Sequence, residues 1–312
     1  MQQVWSNIRI GIIGKGSQYQ RISKILIKKK LEFFVYKPKN KEYFDKKKYE
    51  TLQKCNVIFI LSPNDTHLKY IKLLSKDRYI FCEKPPTTNL KQLNELERII
   101  TKKIYFNYNF RFSKIGKILS DINKYNLGRM IYGSIITGHG LSFKNDYKKS
   151  WRSQKKLCKK GIFEIVTIHW IDLLNYYFKL KKIKNVNMFN FSKIGNSYDN
   201  VICKLSFENN SEIDIFSSYS SPLIKKILLV FSNGTIEQND NSIEIRGPAL
   251  NLDREKFFKK PKLIRKYNIK NLEDYNLSLN KSVDYFLYHV KNKLEIPKKS
   301  IQNSLNSNKL IL

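Results

Sequence analysis

Two hydrophobic patterns divide the chain. In its first part, continuous apolar runs such as residues 8–13 and 57–61 alternate with segments such as 17–29 and 89–101, where apolar residues recur every three or four positions. The continuous runs predict strands buried on both faces, and the longer spacing predicts amphipathic helices. Regular alternation of the two predicts a right-handed parallel α/β sheet over residues 1–120.

The pattern changes after about residue 120 to single alternation of polar and apolar positions. The clearest runs of this kind are residues 130–138, 200–207, 212–217 and 226–231. Such runs predict strands with one buried and one solvated face. With a helix over 161–178 and a final helix over 277–293 that ends the ordered core, they predict a second domain, 121–312, built on a mostly antiparallel open sheet. The predicted fold class is therefore α/β followed by α+β.

Composition narrows the class of protein. A chain of 312 residues with 41% hydrophobic residues is long and apolar enough for two globular cores. No apolar run reaches 18 residues, and residues 1–7 lack the features of a signal peptide, so we expect a cytoplasmic protein without a membrane partner. The four cysteines are widely spaced, which predicts buried free thiols and no metal site.

The net charge of +33 raises the question of a nucleic-acid partner. Only ten of the 59 basic residues are arginine, and lysine, asparagine, isoleucine, tyrosine and phenylalanine are over-used together along the chain. That joint excess is typical of an AT-rich genome, whereas nucleic-acid binders cluster their charge and favour arginine. We therefore expect no nucleic-acid partner, although the charge favours anionic ligands such as nucleotide sugars.

A glycine turn follows the first predicted strand. Gly14 and Gly16 lie directly before a predicted helix, an arrangement that lets a pyrophosphate approach backbone N–H groups at the helix start. We assign Gly14, Gly16, Ser17 and Gln18 to a dinucleotide site. Tyr19 replaces the third glycine of the fingerprint, so the motif alone is equally compatible with an ordinary strand–helix turn.

The end of the second predicted strand bears on the choice of cofactor. An acidic residue there would bind the ribose 2′-hydroxyl of NAD, but the sequence has Lys37 followed by Pro38, Lys39 and Asn40. Lysines at this point favour NADP over NAD, because they suit a 2′-phosphate. The alternative is that they are surface lysines of a lysine-rich protein.

Several segments resemble the Gfo/Idh/MocA family of nicotinamide-dependent sugar oxidoreductases. They are Ser62-Pro63-Asn64-Asp65-Thr66-His67, Glu83-Lys84-Pro85, Tyr108-Asn109-Phe110-Arg111-Phe112, Asp146-Tyr147 with Trp151-Arg152, and residues 161–172. The resemblance implies a Rossmann cofactor domain, an open-sheet domain that binds substrate and pairs subunits, and hence a homo-oligomer.

The resemblance also implies roles on the cofactor side. Ser62, Pro63 and Asn64 would line the nicotinamide ribose, and His67 would have a structural or cofactor-side role rather than act as a base. Glu83 would fix the neighbouring loop. We include all five in the predicted cofactor site.

The resemblance implies two catalytic residues. Lys84 would stabilise the alkoxide as hydride leaves, aimed by a cis peptide before Pro85, and His169 would be the general base or its close partner. The substrate contacts that the resemblance implies are Arg111, Tyr147, Trp151 and Arg152.

Two departures from the family pattern leave the function open. Lys159-Lys160-Gly161 replaces a glycine run, and Ile165 stands where an aspartate should precede His169 by four residues. On an α-helix Glu164 would point elsewhere, so it is a poor substitute. The main hypothesis is an oxidoreductase that transfers hydride between NAD(P) and a secondary alcohol or ketone of a sugar or nucleotide sugar, with surface polysaccharide biosynthesis as a candidate setting. The alternative is a cofactor-binding member without turnover, or with a regulatory role.

Overall fold

The structure is a computed structural model that describes residues 8–37, 46–248 and 252–312. The chain forms two compact units. The first unit comprises Met1–Asn109 and Leu277–Leu312, and the second comprises Phe110–Asn276. The sequence-based division at residue 120 differs from this one chiefly because the C-terminal segment belongs to the first unit.

The described residues contain thirteen strands and eight α-helices. The strands are β1 (Ile10–Ile13), β2 (Phe33–Tyr36), β3 (Val57–Ile60), β4 (Tyr79–Glu83), β5 (Ile104–Asn107), β6 (Met130–Gly138), β7 (Leu180–Phe189), β8 (Asn200–Phe207), β9 (Glu212–Ser218), β10 (Ile224–Phe231), β11 (Gly234–Asn239), β12 (Ser242–Arg246) and β13 (Leu263–Asn268). The helices are α1 (Ser17–Lys28), α2 (Lys46–Gln53), α3 (His67–Leu74), α4 (Leu90–Ile99), α5 (Lys114–Ser120), α6 (Ile168–Tyr177), α7 (Asn271–Lys291) and α8 (Lys298–Ile311).

The first unit is built on a five-stranded sheet in the order β2-β1-β3-β4-β5, and all its strand pairs are parallel. Every residue of β1, β3 and β5 is buried, as the continuous apolar runs predicted. Short strands that alternate with helices bring the carboxyl ends of β1, β3 and β4 to one edge of the sheet. Ligands of open parallel sheets bind at such edges.

The C-terminal helices complete the core of the first unit. The ring of Phe286 on α7 lies 5.4 Å from that of Phe59 and 5.5 Å from that of Phe81. Helix α8 buries Leu305 and Ile311 as well. The expectation that the helix near 277–293 ends the ordered core is therefore wrong, because α8 follows it and is itself packed.

The second unit is built on an eight-stranded sheet in the order β13-β12-β11-β10-β6-β9-β8-β7. The pair of β6 and β9 is parallel and the other pairs are antiparallel. This confirms the fold class predicted from the change in hydrophobic period. All four cysteines lie in the described residues, where they are buried and form no disulfide. Among the described residues, no helix combines the length and the apolar character needed to cross a bilayer.

Candidate cofactor and active site

The turn after β1 requires glycine at its first position. Gly14 has a φ of +103°, and a Cβ there would lie 2.6 Å from the carbonyl oxygen of Leu61 and 2.9 Å from the nitrogen of Ser62. The N–H of Gly14 donates to the carbonyl of Tyr36 at 2.9 Å. The chain after β1 is thus held between the end of β2 and the segment that follows β3.

The second glycine leaves room at the start of α1. Gly16 is the N-cap residue, and within the described chain no side chain caps the helix there. A Cβ on Gly16 would meet nothing within 4 Å. The first N–H groups of α1, from Ser17 onward, therefore present the positive end of the helix, and this arrangement fits a dinucleotide pyrophosphate. Tyr19 lies half-buried in the first turn.

Hydroxyl groups shape the loop after β3. The Oγ of Ser62 lies 2.6 Å from the Oγ1 of Thr66, and Thr66 donates to the carbonyl of Pro63 at 2.7 Å. The side chain of Thr66 therefore closes this loop and does not cap α3. Ser62, Pro63 and Asn64 lie at the carboxyl end of β3, where a cofactor is expected.

The buried ring of His67 joins two loops. Its Nδ1 lies 2.9 Å from the carbonyl oxygen of Pro85, and its Nε2 lies 3.0 Å from that of Ser62. Burial lowers the pKa of His67 by more than these two carbonyl groups raise it. A neutral imidazole carries one N–H, so it donates to one carbonyl at a time. The ring ties the loop after β3 to the loop after β4.

Glu83 and Lys84 lie at the carboxyl end of β4. The carboxylate of Glu83 accepts a hydrogen bond from Asn107 Nδ2 at 2.7 Å, and the side chain of Gln18 and the backbone N–H of Lys84 also bond to it. Burial raises the pKa of Glu83, while Lys84 and these donors oppose the rise. Lys84 is 8% exposed, and the peptide between it and Pro85 is cis, as the resemblance implied.

The side chain of Lys37 is exposed directly after β2. The prediction of NADP also named Pro38, Lys39 and Asn40, which lie outside the described residues.

In the second unit, Arg111 forms a two-pronged ion pair. Its Nε donates to one oxygen of Asp172 at 2.7 Å, and its Nη2 donates to the other at 2.6 Å. Both residues are buried. The guanidinium also lies 4.6 Å from the ring centre of Tyr176. Asp172, which the sequence placed three residues after His169, thus joins α6 to the segment before α5.

His169 lies in the first turn of α6. Its ring stacks on that of Phe110, with centres 4.5 Å apart and planes 20° apart. The next residue, Trp170, meets the same phenyl ring edge-on at 4.8 Å. The orientation of the imidazole is therefore set by an aromatic contact within the second unit.

A π-helical turn, Phe163–Thr167, leads into α6. The N–H of Ile168 bonds to the carbonyl of Phe163, five residues back. The α-helical spacing that made Glu164 a poor substitute does not hold here, because residues five apart overlap in a π turn. Glu164 is buried and accepts a hydrogen bond from the N–H of Lys160 at 3.1 Å.

The predicted substrate loop lies between β6 and this π turn. Tyr147 is buried, which raises its pKa to about 12. The guanidinium of Arg152 stacks on the indole of Trp151 at 4.5 Å. Sequence reasoning missed Tyr219, whose ring centre lies 6.2 Å from that of Tyr147. Within the described chain both hydroxyls are buried without a hydrogen-bond partner, and only the position of Tyr219 directly after a strand marked it in the sequence.

The predicted residues therefore form two groups. The first group lies at one edge of the parallel sheet in the first unit. Its members are Gly14, Gly16, Ser17, Gln18, Ser62, Pro63, Asn64, His67, Glu83 and Lys84. The second unit contains the remaining predicted residues apart from Lys37, which are Arg111, Tyr147, Trp151, Arg152 and His169.

Comparisons with known proteins agree with this architecture. Residues 8–105 match a model of the Gfo/Idh/MocA oxidoreductase family, described as an NAD-binding Rossmann fold. No curated protein matches the chain.

Solved structures share the fold over nearly the whole chain. A levoglucosan dehydrogenase in complex with NADH and levoglucosan is 14% identical, with a TM-score of 0.75 and coverage of 98% of this chain and 95% of that one. A myo-inositol dehydrogenase from Corynebacterium glutamicum is 17% identical, with a TM-score of 0.70 and coverage of 98% and 94%. An oxidoreductase from Agrobacterium radiobacter in complex with NAD⁺, L-tartaric acid and magnesium is 13% identical, with a TM-score of 0.74 and the same coverage. The family model thus matches most of the N-terminal part of the first unit, residues 8–105, and confirms the resemblance to the Gfo/Idh/MocA oxidoreductases that the motifs predicted.

Proposed function

We propose that the protein is an enzyme that transfers hydride between NAD(P) and a secondary alcohol or ketone of a sugar. The observation that carries this proposal is the position of Lys84, a buried lysine at the same sheet edge as the glycine turn of Gly14 and Gly16. The sugar-type substrates named for two of the similar structures, levoglucosan and myo-inositol, support the substrate class.

Lys84 would bind the reacting oxygen. When bound, the nicotinamide supplies the hydride acceptor or donor. A buried ammonium stabilises negative charge on an alkoxide more strongly than a solvated one, because little water screens it. The contacts of Glu83 with Gln18 and Asn107 would hold the backbone of Lys84 beside the start of α1.

His169 would handle the proton. An imidazole is suited to exchange protons near neutral pH, and the stack on Phe110 fixes its plane. Tyr147, Trp151 and Arg152 would contact the substrate. The substrate role predicted for Arg111 stays a prediction, since its Nε and Nη2 already bind Asp172.

We further propose NADP as the preferred cofactor and extend the substrate class to nucleotide sugars. The exposed Lys37 after β2 supports the first, because a lysine there suits a 2′-phosphate. The net charge of +33 supports the second, because it attracts anionic ligands. A homo-oligomeric state and a setting in surface polysaccharide biosynthesis stay predictions.

Substitution of Lys84 tests the proposal. Purified protein is mixed with NADP⁺ or NADPH and a panel of sugars and nucleotide sugars, and the absorbance of the reduced nicotinamide is followed. We expect turnover with at least one compound and a loss of about a hundredfold or more in Lys84→Ala, since one positioned charge stabiliser contributes that much. Lys91→Ala, which removes an exposed lysine from α4, is the matched control and should retain full activity.

Ile165, which stands where the family has an aspartate, motivates the alternative that the protein binds its cofactor without turnover. That hypothesis predicts that NADPH binds, as measured by its fluorescence, while every compound of the panel stays unchanged. Turnover that survives Lys84→Ala would instead contradict the role of the lysine and leave the enzyme class intact.

A further inference from the structure

The last helix of the chain contacts the segment that follows Lys84. The Oδ1 of Asn308 on α8 accepts hydrogen bonds from the N–H of Thr87 at 2.8 Å and from its hydroxyl at 2.9 Å. The Nδ2 of Asn308 donates to the carbonyl of Thr87 at 3.1 Å. One amide side chain therefore binds both backbone polar groups and the hydroxyl of Thr87.

These groups are out of reach of water. Asn308 is 0% exposed and Thr87 is 1% exposed, and every residue from Lys84 to Thr87 is buried. A buried N–H or carbonyl that loses its partner costs more than an ordinary hydrogen bond contributes. Thr87 is thus held firmly in place, only three residues after Lys84.

The other side of Lys84 is held in a similar way. Asn107 donates to the carboxylate of Glu83, and the hydroxyl of Ser282 on α7 donates to the Oδ1 of Asn107 at 2.7 Å. Tyr105 in turn lies 2.7 Å from Ser282 through its hydroxyl. Helix α8 therefore contacts the segment that contains Lys84 directly, whereas α7 acts on it through Asn107, and both do so in addition to their apolar packing.

We infer that Asn308 is a positioning residue for Lys84, an inference that rests on the function proposed above. The amide fixes the backbone after Lys84, and so fixes the direction in which its ammonium group points. Helix α8 keeps its own place through apolar residues such as Leu305 and Ile311. Loss of the amide therefore loosens the Lys84 segment more than it loosens the helix.

The test compares two asparagines of the same helix. Asn308→Ala removes the buried amide, whereas Asn306→Ala removes an exposed one. We expect kcat of Asn308→Ala to fall about tenfold to a hundredfold, the cost of a small misplacement of a catalytic group. The KM for NADPH should stay close to that of the wild type, and the pH–rate profile should shift. Asn306→Ala should match the wild type in all three readouts.

Thr87→Val separates the hydroxyl from the backbone contacts. It removes one of the three hydrogen bonds and keeps the size of the side chain, so we expect a smaller loss of kcat than in Asn308→Ala. An unchanged kcat and pH profile in folded Asn308→Ala would overturn the inference. So would a loss of kcat that only tracks the fraction of unfolded protein, measured by circular dichroism.

Chemical labelling of Lys84 tests the positioning role of Asn308 even if the protein turns over no compound. Acetic anhydride acylates exposed and reactive amines, and mass spectrometry of peptides gives the rate at each lysine. We expect Asn308→Ala to change the rate at Lys84 at least threefold relative to Lys91, and Asn306→Ala to leave that ratio unchanged. Equal ratios in all proteins would overturn the positioning role, even if the wild type turned over no compound of the panel.

Discussion

Single buried side chains decide how the cofactor loops are held. His67 could be taken from its residue type alone for a catalytic base, yet both ring nitrogens face backbone carbonyls, those of Pro85 and Ser62. The contacts lie 18 and 5 residues away along the chain, so no local pattern reveals the first of them. Burial is the main cause that lowers the pKa of this ring, and the charge of Lys84 acts in the same direction.

The lowered pKa of His67 predicts a pH-dependent stability. Burial lowers the folded-state pKa below the ordinary value of 6.5, so the unfolded chain binds the proton more readily. The contribution to stability is therefore complete above about pH 6.5 and is lost as the pH falls through the folded-state pKa. We expect the free energy of unfolding, measured with urea, to fall between pH 7.5 and 5.5 in the wild type.

Two substitutions measure the share of that fall that belongs to His67, since burial also lowers the pKa of His139. His67→Gln should flatten this part of the pH dependence, even though it lowers stability at neutral pH. His289→Gln, which replaces a histidine that bonds to the carbonyl of Tyr285 on its own helix, should keep the wild-type slope. A wild-type slope in His67→Gln would contradict the assignment.

Loss of one partner from the ion pair of Arg111 and Asp172 should lower the free energy of unfolding far more than loss of both partners. Both side chains are buried, at 6% and 1% exposure, so removal of one partner leaves an uncompensated charge. Arg111→Met should lower the free energy of unfolding by about 3 to 5 kcal/mol, whereas Arg111→Met with Asp172→Leu should recover most of the loss. Denaturant unfolding of both single variants and the double variant measures the coupling, and additive losses would contradict it.

At the scale of elements, one irregular turn changes which side chains share a face. The sequence predicted a single helix over 161–178, and the structure has the π turn Phe163–Thr167 followed by α6. A π turn holds one more residue than an α turn, so the residue five before His169 takes the place that the residue four before it has in an α-helix. The hydrophobic pattern does not reveal this turn, because residues 161–174 are buried almost without exception and so show no single apolar face that would indicate the winding.

The π turn predicts that Glu164 takes the place beside His169 that an aspartate at position 165 would take in an α-helix. We expect Glu164→Gln to lower kcat about tenfold and to shift the pH–rate profile, as loss of a charge beside a general base does. Ile165→Asp should not raise kcat. The exposed Glu208→Gln serves as the control. Restored or raised activity in Ile165→Asp would show that α-helical spacing is the relevant one.

At the scale of the whole molecule, the chain returns to its first unit after building the second. The change in hydrophobic period near residue 120 predicted two sheets, and both exist. It did not predict that Leu277–Leu312 belongs with the first sheet, because an amphipathic helix shows that it has a buried face and not which sheet covers it. The polar contacts of Asn308 and Ser282 depend on that return.

Local sequence alone predicts the parallel sheet, the glycine turn, the mostly antiparallel second sheet and the resemblance of the N-terminal residues to a known family. Each of these features follows from a local hydrophobic period or from a short motif in which the backbone needs a particular residue type. Four features emerge only in the folded chain: His67 bridges two loops, Asp172 binds Arg111, Glu164 lies in a π turn and Asn308 holds Thr87. Those contacts join residues that are distant in the chain or depend on the exact winding of one turn, so burial and packing set them and local sequence does not.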